Sequence, residues 1–170
     1  MRSRPARSLA VTLVAALGFA AAAFAGPTIS STATPSFSVA LNGADQTETY
    51  QLAFTISDTG SGKASGWNVS ASATQFVNGS YTFPTNATSV TGVSPPVSCS
   101  GGNCSLPVPS GSITYPATLP NTGGSSIYST EANTGEGTNV MTATMQVAAP
   151  ANIYAGTYTS TVTLQIATGP

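Results

Sequence analysis

The feature that most constrains this chain is strict alternation of apolar and polar residues, repeated in several separate runs. Tyr50, Leu52, Phe54 and Ile56 alternate with Gln51, Ala53, Thr55 and Ser57. Trp67, Val69, Ala71 and Ala73 alternate with Asn68, Ser70 and Ser72. Met141, Ala143, Met145, Val147 and Ala149 form a third run, and Tyr158, Ser160, Val162, Leu164 and Ile166 a fourth. A period of two places one set of side chains on each face of a strand, so each run predicts a strand buried on one side. Phe37, Val39 and Leu41 give a shorter strand that turns at Asn42-Gly43, and Ile127-Tyr128 marks another. Asn78-Gly79 is a hairpin-turn signal. Between Tyr81 and Leu119 stand Pro84, Pro95, Pro96, Pro107, Pro109 and Pro116, with Pro120 just beyond. Proline removes a backbone donor and breaks helices, so this middle stretch is expected to hold long loops and short edge strands rather than central ones. One such short strand is expected at Ile113 and Tyr115. No amphipathic helix is expected after the first 25 residues. The fold expected is all-β: a single antiparallel β-sandwich, Ig-like or barrel-like, with long Pro/Gly-rich loops.

The first 25 residues read as a signal peptide. Arg2, Arg4 and Arg7 supply a basic start, and Leu9 to Phe24 is a run of Leu, Val, Ala and Phe broken only by Thr12 and Gly18. Ala23-Phe24-Ala25 then fits the small-x-small cleavage rule, placing the cut between Ala25 and Gly26. The organisation expected is a leader over 1–25 and one domain over 26–170, long enough for one core. No lipidated cysteine follows the cut, so no membrane anchor is expected after processing.

Processing at that site removes all three arginines. Lys63 is then the only basic side chain, against Asp45, Glu48, Asp58, Glu131 and Glu136, giving a net charge of about −4 (one minus five). Such a surface has no cluster of cations to neutralise phosphate, which excludes nucleic acid as a partner. It also excludes polybasic attachment to anionic lipid and attraction to acidic wall polymers. Ser and Thr, about a third of residues 26–170, supply the polar surface instead.

The chemistry available is narrow. With no histidine in the chain, Ser-His-Asp and Cys-His catalysis are excluded. Glu131 and Glu136, with Asp58 as a third candidate, are the carboxylates that a glycosidase mechanism would need, and Glu131 and Glu136 read more simply as solvated loop charges. Lys63, between Gly62 and Ala64, reads as a solvated loop lysine rather than a partner in an isopeptide bond. No cofactor or metal is called for. Cys99 and Cys104, the only cysteines, bracket a Ser-Gly-Gly-Asn spacer and are expected to form a local disulfide in an exported chain. Uncharged glycans bind to aromatic faces, hydroxyls and amides. The candidate ligand contacts are therefore Trp67, with Asn68 beside it, and Tyr154 and Tyr158, which bracket Gly156 in a turn. For Trp67 two readings stay open: a binding platform, or a plug in the core.

The segment from Tyr50 through Asp58, a Gly/Ser loop and Trp67-Asn68-Val69 resembles the first signature of the WxL domain, a surface module of Gram-positive bacteria. Asn133-Thr-Gly135-Glu-Gly137-Thr resembles that family's approach to its penultimate strand, and the stretch from Pro150 to Pro170 resembles its closing strand. The likeness spans nearly all of residues 26–170. The second Trp-x-Leu falls here at Leu164-Gln165-Ile166, so its tryptophan is absent. The resemblance implies a secreted, wall-associated module held non-covalently on peptidoglycan or another wall glycan. The ending Tyr154-Ala-Gly-Thr-Tyr158-Thr-Ser-Thr-Val162 is also similar to Ig-like fimbrial and spore-coat modules, which implies the alternative of a pilin-like or adhesin-like subunit whose partner is another surface protein.

Overall fold

The computed structural model describes residues 8–15, 26–59, 65–101 and 103–169, the first of these segments by its backbone pairing alone. The described residues form thirteen strands, in chain order: β1 (Ser8–Ala15), β2 (Thr28–Ser30), β3 (Ser36–Ala40), β4 (Gln46–Asp58), β5 (Trp67–Ala73), β6 (Val77–Asn78), β7 (Tyr81–Thr82), β8 (Thr88–Ser94), β9 (Cys99–Ser100), β10 (Ala117–Thr118), β11 (Ser125–Ser129), β12 (Gly137–Ala149) and β13 (Thr157–Thr168). The described residues contain no helix, hence none long and apolar enough to cross a membrane.

The strands form two sheets. One runs β11-β5-β13-β1-β3, with the β6–β7 hairpin attached to β13; the other runs β10-β8-β12-β4-β2, with β9 attached to β12. Neither closes into a barrel, and the pairings are antiparallel except for β1 with β13. The architecture is the β-sandwich that the alternation predicts.

The alternation works as expected because each sheet has one wet face. In β4 the inward set is Tyr50, Leu52, Phe54 and Ile56; in β12 it is Met141, Ala143, Met145, Val147 and Ala149. These two strands pair without a register slip from Gln46↔Ala149 to Asp58↔Gly137. A slip of one residue would turn every apolar side chain outward, so burial fixes the register. Opposite them, β5 contributes Trp67, Val69, Ala71 and Ala73, and β13 contributes Tyr158, Val162 and Leu164. Burying each of the larger side chains stabilises the fold by about 1.5–3 kcal/mol.

The middle of the chain departs from expectation. Ile113 and Tyr115 form no strand; the short strand there is β10, two residues further on. More importantly, β8 is an interior strand, hydrogen-bonded to β12 on one side and β10 on the other. It fits between Pro84 and Pro95 and so contains no proline to interrupt its ladder. The Cys99–Cys104 disulfide forms as expected. Its first residue lies in β9, paired to Asn139 of β12.

Candidate functional site

Trp67 is in the core. Its relative exposure is 0%, and its indole packs on Tyr128 with ring centroids 5.7 Å apart. The backbone N–H of Trp67 donates to Thr130 Oγ1 at 2.9 Å, and Nε1 donates to the Gly135 carbonyl at 3.2 Å. That carbonyl also accepts from Asn139 Nδ2 at 3.1 Å. Gly135 has φ +81°, and a Cβ built there would lie 2.6 Å from Trp67 Nε1. The loop before β12 thus wraps the indole so closely that only glycine fits. A buried ring with a satisfied N–H leaves no face for a sugar, which corrects the reading of Trp67 as a ligand contact. Tyr128 completes this corner. Its hydroxyl is buried without a hydrogen-bond partner, and its pKa is pushed up to about 12, first by burial and then by Tyr115.

The other candidates separate. Asn68 faces out of the sheet and donates from Nδ2 to Ser126 Oγ at 2.7 Å, across the β5–β11 pair. Tyr158 opens β13 on the inward set, only 1% exposed, which corrects its reading as an exposed contact. Its hydroxyl donates to the Tyr154 carbonyl at 3.2 Å. Burial raises its pKa, Tyr81 adds to the rise, and this hydrogen bond opposes it. Tyr154 is 61% exposed. Glu131 is an exposed loop residue, whereas Asp58 and Glu136 line a cavity of about 230 Å³ beside the disulfide loop. Lys63 and Ala25 lie outside the described residues; Gly26 is exposed.

What Tyr154 meets is a residue that sequence reasoning did not single out. The β6–β7 hairpin brings Tyr81, 45% exposed, against it with ring centroids 4.3 Å apart and planes tilted by 33°. Together they border a groove of about 330 Å³ lined also by Phe83, Pro84, Asn152 and Ile153, with Tyr158 beneath. Two anchors hold the groove's shape. Asp45 Oδ1 accepts from Ala151 N at 2.7 Å, pinning the loop between β12 and β13. On the other side, a Cβ at Gly156 would lie 2.0 Å from Asn78 Nδ2, so hairpin and loop interlock there. Behind the rim, Tyr158, Phe83, Phe76, Phe37 and Tyr50 touch in sequence, ring to ring, into the core. Tyr50 ends that chain with a buried, unpartnered hydroxyl, and burial raises its pKa strongly.

Two exposed aromatic rings, an amide and apolar walls with no carboxylate or cation among them suit an uncharged, hydroxylated ligand. The groove stands at the small end of the volume range for ligand sites. No three His, Cys, Asp or Glu side chains come together among the described residues to hold a metal. The signal for Tyr81 was the Asn78-Gly79 turn, which places a following aromatic near a hairpin tip; its contact with Tyr154 carries no local signature. The chain matches no model of a known protein family, and no curated protein matches it significantly.

Proposed function

We propose that this chain is a secreted, non-catalytic surface module that associates non-covalently with peptidoglycan or another wall glycan, and that the Tyr81–Tyr154 groove is its contact. The observation that carries the proposal is the pair of exposed, mutually packed tyrosines over an uncharged groove. Rings held by each other and by a pinned loop lose little freedom when a ligand arrives, which favours binding. The leader-like first 25 residues, the disulfide and the resemblance to WxL surface domains support the same setting. In this reading Trp67 shapes the domain and the tyrosines touch the glycan.

The test is sedimentation of the processed protein with purified cell walls. The wild-type protein is expected in the pellet, and Tyr154→Ala and Tyr81→Ala are expected to shift most of it to the supernatant with unchanged far-UV circular dichroism. Wild-type protein recovered only in the supernatant overturns the proposal. Variants that pellet like wild type move the contact elsewhere.

A second reading, a pilin-like or adhesin-like subunit, is favoured by one specific observation: the pairing of β1 between β3 and β13.

A further inference from the structure

The side chains that give up an electron most readily are cysteine, methionine, tryptophan, tyrosine and histidine. In this chain the exposed ones meet at a single place. There is no histidine, and both cysteines are spent on the disulfide. Among the described residues, Trp67, Met141 and Met145 are sealed in the core, out of reach of an oxidant in solution. Of the six tyrosines, Tyr50, Tyr128 and Tyr158 are buried, and Tyr115 is half-buried with its hydroxyl donating to the Ile127 carbonyl. Tyr81 and Tyr154 remain. They are exposed, and they are the one tyrosine–tyrosine ring contact among the described residues, with centroids 4.3 Å apart. That is closer than packed aromatic rings usually sit. Their backbones are held on three sides: Asp45 pins Ala151, Asn78 interlocks with Gly156, and the Tyr158 hydroxyl donates to the Tyr154 carbonyl.

We propose that Tyr81 and Tyr154 are an oxidative cross-linking site, at which hydrogen peroxide and a peroxidase join the two rings into an intramolecular dityrosine. The inference stands on the ring pair and is independent of glycan binding. Each phenol gives up one electron and its hydroxyl proton, leaving a phenoxyl radical whose spin is shared with the ring carbons beside the hydroxyl. The two radicals pair to form one carbon–carbon bond between those carbons, Cε to Cε. The hydrogen displaced from each Cε returns to its own ring's oxygen, which restores both phenols. Hydrogen peroxide takes up the two electrons and two protons and leaves as two waters, so the protein loses two hydrogens and gains nothing. In a biaryl the ring centres lie two centre-to-carbon distances and one single bond apart, and Tyr81 and Tyr154 already stand at about that separation. Coupling therefore asks the rings to swing in place, a fast motion for exposed side chains, rather than the backbones to approach. A fixed neighbour also outcompetes a ring on another copy at low protein concentration. Outside the cytosol no thiol pool returns the first radical to phenol. The new bond ties the β6–β7 hairpin to the loop between β12 and β13, and so fixes the rim of the groove covalently.

The experiment treats dilute protein, recovered after export from a bacterial host, with a peroxidase and an equimolar amount of hydrogen peroxide. Expected are the blue fluorescence of dityrosine, an intact mass lower by two hydrogens than before treatment, and a band that stays at the monomer on a denaturing gel. Mass spectrometry of a proteolytic digest is expected to find the peptide of Tyr81 joined to the peptide of Tyr154. Tyr81→Phe and Tyr154→Phe keep a ring in place but remove the phenol, and each is expected to abolish fluorescence and cross-link with unchanged far-UV circular dichroism. Tyr115→Phe, which removes the half-buried competitor, is expected to couple as wild type does. A folded protein whose mass does not change overturns the proposal, as does oxygen added in place of hydrogen lost. A bond mapped to Tyr115 or Tyr158, coupling found only between copies, or fluorescence that survives Tyr81→Phe or Tyr154→Phe overturns it equally. None of these readouts involves cell walls, so failure here is distinct from failure of glycan binding.

Discussion

Gly135→Ala offers the sharpest test of how Trp67 is held. The substitution meets three costs. A left-handed backbone at an L-residue costs about 1–2 kcal/mol. The new Cβ, 2.6 Å from Trp67 Nε1, forces the indole or the loop to move, and overpacking of a filled site costs about 1–3 kcal/mol. Displacement also weakens the 3.2 Å bond from Nε1 to the Gly135 carbonyl, worth about 1 kcal/mol. The smaller entropy of an unfolded alanine chain returns about 0.4–1 kcal/mol. Gly123→Ala isolates the first and last of these, because Gly123 has φ +79° but nothing within 4 Å of a built Cβ. The difference between the two variants is therefore the packing of Trp67 alone, about 2–4 kcal/mol. In a domain of this size that corresponds to a difference in Tm of about 5–15 °C. Urea unfolding followed by tryptophan fluorescence, with equal m-values, measures it. If the two variants agree within about 0.5 kcal/mol, the close approach between the loop and the indole is not what holds Trp67, and the reasoning fails.

Three further outcomes are expected. The emission of Trp67 lies to the blue and resists acrylamide until the protein unfolds; ready quenching of the native protein contradicts its burial. Stability falls as pH rises above 10, because Tyr128 and Tyr50 hold their protons more tightly folded than unfolded. The loss runs from the unfolded value of 10 through the folded Tyr128 value of about 12 and beyond for Tyr50, and a denaturation midpoint flat across that range refutes it. Replacing Cys99 and Cys104 by serine lowers stability by only about 2 kcal/mol, since the bridge spans a separation of 5 residues. A variant that fails to fold in calorimetry shows that the loop does more than this.

The long alternating runs were legible because burial on one face writes period two directly into the sequence: β4, β5, β12 and β13 all stand where their alternation places them. β8 was not, for a local reason. Its pairing with β12 shifts register between Thr144 and Met145, beside Gly92, and that irregularity breaks the alternation after Val90. The disulfide was legible from the only two cysteines standing across a short Gly-rich spacer in a chain that reads as exported. The groove was only half legible: Tyr154 stood out in its turn, but its partner Tyr81 lies in a hairpin arm of two residues, too short for any periodicity. Trp67 could be read either way until the loop around Gly135 was seen closing over it.

The position of the tyrosine groove, in the turn that leads directly into β13, has a mechanical consequence. β13 runs from there for twelve residues to Thr168, about 40 Å of nearly taut chain. On the proposed reading of the groove, a pull between a ligand seated on Tyr154 and the far end of that strand is carried by covalent bonds in a line that has almost no slack left to give. The hydrogen-bonded rungs on either side bear little of the load, so the sandwich can be hauled on without first being sheared apart.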